Sequence, residues 1–141
     1  MTVKMDAQAL EEFLAEAFPQ VAGDFCVEEV TADRLLVRLI TQKKHLRPGG
    51  TVSGPTMFAL ADVGIYLAVL ARLGPVALAV TTNCAIDFMR KPDSGKDLVA
   101  EARLLKLGRV LAVGDVLIRS EGSDKVVARA SLTYSIPPSA G

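Results

Sequence analysis

Hydrophobic and polar residues along this chain follow spacings that change several times, and each spacing predicts a structural element. Between residues 9 and 17 apolar side chains recur every three or four positions, which predicts an amphipathic helix. Asp6 precedes this helix as a capping residue and Pro19 ends it. Residues 25–30 and 34–40 are rich in Val, Leu and Ile, and we expect them to form two strands of a hairpin.

The longest apolar stretch, residues 54–73, is apolar on every side of a helical projection, so a helix formed here must be surrounded by protein. A run of about 20 apolar residues can also cross a bilayer. Asp62 inside the run, Arg72 near its end and the Gly74-Pro75 break argue against a membrane span. We therefore predict a buried core helix.

Four strand-like segments separated by short turns follow this helix. They cover residues 76–89, 97–107, 110–120 and 125–136, and the short turns predict an antiparallel meander. The whole order predicts an α+β protein in which one antiparallel sheet curls around one long central helix, with the N-terminal helix as a cover. This is the hotdog arrangement.

Composition narrows the range of functions. We expect residues 1–141 to form a single domain. Sixteen basic residues balance sixteen acidic ones without a basic block, so neither nucleic acid nor an anionic membrane is an expected partner. Half of the residues are hydrophobic, and we expect part of this surface to lie between subunits that pair through exposed sheet edges. Two cysteines and no signal-like start predict a cytoplasmic protein.

Asp62 is the first residue that needs a chemical explanation, because burying an ionised carboxylate in an apolar helix is costly unless it is paired or solvated. A structural explanation is that Asp62 bonds to backbone or to a partner helix and orders the fold. We favour a functional explanation. Asp62 lies about two helical turns after Pro55, on the face that also carries Phe58 and Ala59, so it can line a cleft beside the helix start.

The start of this helix supplies a second piece of chemistry. The segment RPGGTVSGP, residues 47–55, brings unpaired N–H groups and the positive end of a helix dipole to one point, where an oxyanion could bind. Taken alone, a glycine-rich segment before a helix is only a tight turn. With Asp62 nearby it fits thioester hydrolysis, which needs an attacking group and a stabilised oxyanion. The thiolate leaving group, with a parent thiol pKa of about 8.5, needs little help from an acid.

The sequence contains few of the residues that other kinds of catalytic site require. His45 is the only histidine, which excludes a metal site built from several histidines, and we expect it to be a solvated loop residue. The glycines near the helix start do not match nucleotide-binding patterns. No metal and no separate cofactor is expected.

Three segments of the sequence resemble the PaaI-like hotdog thioesterases. The segments HLRPGGTVSGPTMFALADVGIYLAVLA, VTTNCAIDFMRKP and DLVAEARLLKLGRVLAVGDVLIRSEG carry the resemblance, which covers residues 24–136. It implies hydrolysis of acyl-CoA-type thioesters, with coenzyme A as part of the substrate. It also implies that the Gly54 amide polarises the thioester carbonyl while Asp62 of the other subunit acts as general base or nucleophile. Thr81, or Thr82 if the alignment slips by one residue, assists, and the homodimer assembles further to a tetramer.

Three residues depart from the family pattern in the loop before the helix. Arg47 stands where the family commonly has Asn, Ser53 where it has His, and Pro55 where it has a second Gly. Arg47 could hold a substrate carboxylate or phosphate, or could pair with Asp62 and weaken it as a base. Ser53 can still donate a hydrogen bond, and proline suits a first helical position.

Basic pairs beside two turns either meet the phosphates of coenzyme A or are solvated surface charges. The residues predicted to bind substrate are Arg47, Ser53, Pro55, Phe58, Thr82, Arg90, Lys91, Lys106 and Arg109.

Two further functions fit parts of this pattern. A protein with the altered loop could bind or sense acyl-CoA without hydrolysing it. A hotdog dehydratase is less well supported, because such sites resemble a histidine plus carboxylate pair and no histidine lies in or after the central helix.

Overall fold

One antiparallel sheet wraps around one long helix in the computed structural model, which describes residues 3–138. The outer ends of the predicted domain, residues 1–2 and 139–141, lie outside the described residues. The elements are α1 (Ala7–Ala17), α2 (Pro19–Ala22), β1 (Phe25–Val30), β2 (Leu35–Leu39), a 3-10 turn (Lys43–His45), α3 (Gly54–Leu73), β3 (Val80–Phe88), β4 (Leu98–Leu107), β5 (Leu111–Ser120) and β6 (Val126–Ser135).

The N-terminal helix is the predicted cover. The Asp6 side chain accepts a hydrogen bond from the Ala9 amide at 2.9 Å, which caps α1, and Leu10 and Leu14 are buried against the core. Pro19 does more than end this helix, because it also begins the short helix α2, where its fixed φ suits the first turn.

The central helix α3 has the predicted bounds and is enclosed by protein. From residue 60 to residue 71 every side chain is buried except Asp62, which is partly exposed. The helix is long and apolar enough to cross a membrane by length and composition, but 67% of its most apolar window is buried inside the protein. It is therefore the core helix of this fold. Gly114 on β5 lets the sheet approach α3 closely, because an added Cβ there would lie 2.5 Å from the Ile65 side chain and 2.8 Å from the Arg103 carbonyl oxygen.

The strand order is β1-β2-β4-β5-β6-β3. The predicted α+β hotdog fold is confirmed, but the predicted meander is only partly right. Strands β4, β5 and β6 follow one another in the sheet, whereas β3 pairs with β6 at the far edge and β4 pairs with β2. The turn around Pro92 and Gly95 is thus a crossover rather than a hairpin, because the chain must pass from one edge of the curled sheet to its middle. Strand β3 also begins at Val80 rather than at residue 76.

The two edges of the sheet differ. The β1 edge lies beside α1, where the Glu11 carboxylate accepts a hydrogen bond from the Val27 amide at 2.7 Å, and a bulge interrupts the pairing of β1 between Val27 and Glu29. The outer edge of β3 has no strand partner within residues 3–138, and Val80 and Phe88 on this strand are 56% and 52% exposed. The β3 edge is therefore the one open to another chain.

Candidate active site

Two hydroxyl groups hold one oxygen of the Asp62 carboxylate. Thr81 Oγ1 donates a hydrogen bond to Asp62 Oδ1, and the Tyr134 hydroxyl lies 2.7 Å from the same oxygen. The Tyr134 hydroxyl also lies 3.0 Å from the backbone carbonyl oxygen of Asp62. Within residues 3–138 no side chain or amide bonds to Oδ2. The carboxylate is therefore anchored on one side and available on the other.

Strand pairing explains why these hydroxyls meet at Asp62. Thr81 on β3 lies opposite Tyr134 on β6, so the two side chains leave the same face of the sheet. The register shifts between Thr81 and Asn83, which leaves Thr82 as the extra residue of a β-bulge. Thr82 is exposed, and its hydroxyl donates to the Thr133 carbonyl oxygen at 3.3 Å. Of the two threonines predicted from the sequence, Thr81 is the one that faces Asp62.

The surroundings of Asp62 are apolar and include two buried tyrosines. Burial, reinforced by the negative charge of Asp62, raises the pKa of the Tyr134 hydroxyl well above its ordinary value. Burial also raises the pKa of Tyr66, whose hydroxyl donates to the Ala77 carbonyl oxygen at 3.0 Å. The two rings are tilted with centroids 6.2 Å apart. Both tyrosines therefore keep their protons and act as hydrogen-bond donors.

Asp62 lies on the wall between two cavities. The first, of about 370 Å³, is lined by Tyr66, Thr81, Tyr134 and apolar side chains. The second, of about 300 Å³, reaches Pro55, Thr56 and Ala59 on α3. Phe18 lines both. The predicted cleft beside the helix start is thus present, although Phe58 does not line it.

The start of α3 opens onto a third cavity. Ser53 caps the helix, because its Oγ accepts a hydrogen bond from the Thr56 amide at 3.3 Å. Pro55 has no N–H group, and no acceptor within residues 3–138 takes the Gly54 N–H. This third cavity, of about 390 Å³, is lined by Gly54, three basic residues and the strand end at Phe88. The basic residues are Arg47, Arg90 and Lys91. The Gly54 N–H group and the three basic side chains therefore line the same cavity.

Some predicted site residues lie elsewhere. Phe58, which is 40% exposed, and Thr82 do not line any of these three cavities. The same holds for Lys106 on β4 and for Arg109 in the turn before β5, both of which are exposed. Arg47 lines the Gly54 cavity and neither cavity at Asp62, so among residues 3–138 it does not pair with Asp62, which was one of the two roles considered for it.

The prediction that His45 is a solvated loop residue is wrong, because His45 is only 7% exposed. It ends the 3-10 turn, where its Nδ1 accepts a hydrogen bond from the Gln42 amide at 2.9 Å. Its Nε2 lies 3.5 Å from a carboxylate oxygen of Asp24. His45 lines the same cavity as Asp62, but both of its nitrogens face other partners. Within residues 3–138 the carboxylate partner of His45 is thus Asp24 and not Asp62.

No group of three metal-binding side chains comes together in residues 3–138. Cys26 and Cys84 are free thiols and are partly buried. The expectation of no separate cofactor stays a prediction.

Sequence reasoning missed Tyr134. Along β6, Ala130, Leu132 and Tyr134 alternate inward and are all buried, a period of two that predicts an inward tyrosine. A buried tyrosine hydroxyl needs a hydrogen-bond partner. That partner is Asp62 on α3, 72 positions earlier, and neither segment alone specifies how α3 packs against β6.

A family model described as the thioesterase superfamily matches residues 49–132. The chain belongs to the thioesterase superfamily, and the predicted resemblance to PaaI-like hotdog proteins is confirmed. A crystal structure of a provisionally named thioesterase from Silicibacter sp. TM1040 is 58% identical, with a TM-score of 0.92 over 98% of this chain and 96% of that chain.

Two other similar proteins carry names from this group. Human acyl-coenzyme A thioesterase 13 is 25% identical over 116 residues, which cover 82% of this chain and 81% of that protein. The structure of a variant of the phenylacetic acid degradation protein PaaI from Thermus thermophilus is 28% identical, with a TM-score of 0.72 over 84% of this chain and 99% of that chain.

Proposed function

We propose that the protein hydrolyses acyl-CoA-type thioesters at a site formed by two copies of the chain. Asp62 of one copy supplies the base or nucleophile, and the Gly54 amide of the other binds the carbonyl oxygen. The observation that carries this proposal is the half-anchored Asp62 carboxylate, which opens onto apolar cavities in a chain of the thioesterase superfamily.

The chemistry needs only these groups. As a general base, Asp62 takes a proton from a water molecule while the water oxygen bonds to the thioester carbon, and the Gly54 N–H stabilises the resulting oxyanion. The carbon–sulfur bond then breaks, its electron pair leaves with the sulfur, and the sulfur takes the proton. As a nucleophile, Asp62 instead bonds to the thioester carbon, and the carbon–sulfur bond breaks with its electron pair leaving on the thiolate, which gives a mixed anhydride. Water then hydrolyses the anhydride to the free acid and the Asp62 carboxylate, and the released proton goes to the thiolate. Thr81 assists by holding Asp62.

Two copies are needed because of the distance along α3. Eight residues separate Gly54 from Asp62, a rise of about 12 Å along a helix axis. A carbonyl oxygen must lie about 3 Å from its N–H donor, so the two groups of one chain do not act on the same thioester. They also line different cavities.

The open edge of β3 supplies a way to bring the two groups together. An antiparallel pairing of two β3 edges about a twofold axis at Cys84, the middle of the strand, would set Phe88 of one copy opposite Val80 of the second copy. Phe88 lines the Gly54 cavity, and Val80 lines a cavity of Asp62. The pairing would therefore join the cationic cavity of one copy to the apolar cavity of the other.

In this arrangement the two kinds of cavity would orient the acyl-CoA substrate. The apolar cavities beside Asp62 suit the acyl group, and the cavity with Arg47, Arg90 and Lys91 suits the phosphates of coenzyme A. The contacts of Lys106 and Arg109 with substrate stay predictions. A cytoplasmic location and further assembly of the dimer to a tetramer also stay predictions.

Hydrolysis of a panel of acetyl-, hexanoyl-, octanoyl- and benzoyl-CoA, followed by thiol release, tests the proposal. Wild-type protein is expected to turn over part of the panel, and Asp62→Asn is expected to lose turnover while its thermal unfolding is little changed. Asp33→Asn, an exposed carboxylate in the β1–β2 turn, is the control and should keep full activity. Binding of these thioesters without hydrolysis by the wild type would instead support the non-catalytic acyl-CoA binding protein.

A further inference from the structure

Tyr134 lies directly beside Asp62 and is almost fully buried. The residue is 3% exposed, and its hydroxyl reaches the Asp62 carboxylate from β6. The additional 3.0 Å contact with the Asp62 carbonyl oxygen ties the hydroxyl to the backbone of α3 as well as to the side chain.

The hydrogen bonds at Asp62 divide the two carboxylate oxygens. An ionised carboxylate oxygen offers two lone pairs to hydrogen-bond donors. Thr81 and Tyr134 both donate to Oδ1, so both of its sites are filled, while Oδ2 has no partner in the part of the chain that the structure describes. The carboxyl group therefore cannot rotate to exchange its oxygens without losing two hydrogen bonds to a charged group.

Tyr134 is a hydrogen-bond donor to Asp62 in this arrangement. Burial and the charge of Asp62 raise the pKa of its hydroxyl, so the hydroxyl keeps its proton. A hydroxyl that donates to a carboxylate stabilises its charged form, which offsets part of the cost of burying Asp62.

We propose that Tyr134 is a positioning residue, which together with Thr81 fixes Oδ1 of Asp62 so that Oδ2 is the oxygen that meets the attacking water or the thioester carbon. This inference rests on the proposed function, because it assigns Tyr134 a part in the hydrolysis by Asp62. Tyr134 itself transfers no proton and forms no covalent bond in this scheme, and it acts through Asp62.

Tyr134→Phe and Tyr66→Phe form a matched pair of variants. Both tyrosines are buried, both line the first cavity, and each loses one hydroxyl, but only Tyr134 bonds to Asp62. With hexanoyl-CoA and benzoyl-CoA, Tyr134→Phe is expected to lower kcat about tenfold or more, the loss expected for one hydrogen bond to a charged group, with little change in KM. Tyr66→Phe is the control for loss of a buried hydroxyl from the same cavity wall, and it is expected to leave the acid limb of the kcat/KM profile where the wild type has it, because its hydroxyl bonds to the Ala77 carbonyl oxygen and not to Asp62.

The pH profile supplies a readout that a purely structural role would not change. Without the Tyr134 donor the ionised form of Asp62 is less stable, so the acid limb of the kcat/KM profile should move to higher pH in Tyr134→Phe and not in Tyr66→Phe. The other ionisable groups near Asp62 are the same in the wild type and in Tyr134→Phe, so they contribute equally to both pH profiles. They include Tyr66, Cys84, Asp24 and His45.

A carboxyl ¹³C NMR titration of Asp62, with the resonance assigned from its absence in Asp62→Asn, checks the same shift without any substrate. Equal kcat, equal pH profiles and equal titrations in the two Phe variants would overturn the role of Tyr134. Full activity in Asp62→Asn would instead overturn the proposed function, while an inactive Asp62→Asn beside an unaffected Tyr134→Phe would overturn only the inference about Tyr134.

Discussion

Gly54 and Asp62 lie eight residues apart on the same helix, yet they open onto different cavities. Gly54 lines a cavity with three basic residues, and the carboxylate of Asp62 faces two largely apolar ones. In the proposed function, Gly54 and Asp62 of one chain therefore belong to two different half-sites. In the proposed dimer, the Gly54 half-site of one copy joins the Asp62 half-site of the other.

The open edge of β3 is expected to hold the two copies together. Phe88→Asp places a charge on this edge and should convert the dimer to a monomer, because the charge would be desolvated in the interface. Val110→Asp is the matched control, since Val110 is 66% exposed but lies in the turn before β5, away from the β3 edge. Light scattering at micromolar concentration measures the oligomeric state of each variant. A wild-type protein that is only monomeric would contradict the shared site.

Adjacent threonines at a bulge give a second test. Thr81→Val removes a hydroxyl that donates to Asp62 and should lower kcat about tenfold, as expected for one hydrogen bond to a charged group. Thr82→Val makes the same chemical change one residue later, where the hydroxyl bonds only to the Thr133 carbonyl oxygen, and should leave kcat near wild type. A larger loss in Thr82→Val would show that the register of β3 is shifted by one residue.

A third prediction concerns stability at acid pH. Glu101 is buried on the sheet, and hydrogen bonds from Arg103, supported by Arg34 and Arg119, outweigh the opposing effect of burial and lower its pKa below the ordinary value of 4.5. A carboxyl whose pKa is lower in the folded state stabilises the fold above its unfolded-state pKa, and this contribution is lost as the pH falls from about 4.5 through the folded-state value.

Glu101→Gln should therefore lower the free energy of unfolding by about 1–3 kcal/mol at pH 7, the usual cost of leaving buried partners of a charged group unmatched. The difference from wild type should shrink as the pH falls below 4.5. Urea unfolding at a series of pH values measures both effects. Glu16→Gln, an exposed carboxylate on α1, is the control. A gap between wild type and Glu101→Gln that stays constant with pH would contradict this assignment.

Local sequence signals were sufficient for the long helices α1 and α3 and for Asp62, but not for the short helix α2. The bounds of α3 followed from an apolar run closed by Gly-Pro, and Asp62 stood out because a charge in such a helix needs a reason. The strand partners were not available from local signals. Pairing of β3 with β6 joins Thr81 to Tyr134 across 53 positions, and nothing in either segment alone specifies that contact.

Two local features, the bulge at Thr82 and the burial of His45, could not be predicted from the sequence for physical reasons. The bulge at Thr82 adds one residue to β3, and a pattern of exposed residues on an edge strand does not reveal which residue is extra. His45 lies in a segment rich in charged residues and glycine, which predicts solvent exposure. Its burial depends on Asp24, which precedes β1 and reaches the same loop only in the folded chain.

The central claim is that Gly54 and Asp62 act in one site across two copies, and a heterodimer tests it most directly. Gly54→Pro removes the N–H donor at a position where Ser53, with ψ of 156°, already has the extended backbone favoured before proline. Each variant alone, Gly54→Pro or Asp62→Asn, is expected to be inactive. A heterodimer of the two, purified through two different tags, has one intact composite site.

We predict that this heterodimer regains about half of the wild-type turnover per dimer, since one of its two symmetric sites keeps both groups. If instead Gly54 and Asp62 of the same chain form the site, every site in the heterodimer lacks one group. A heterodimer as inactive as either parent variant would contradict the account.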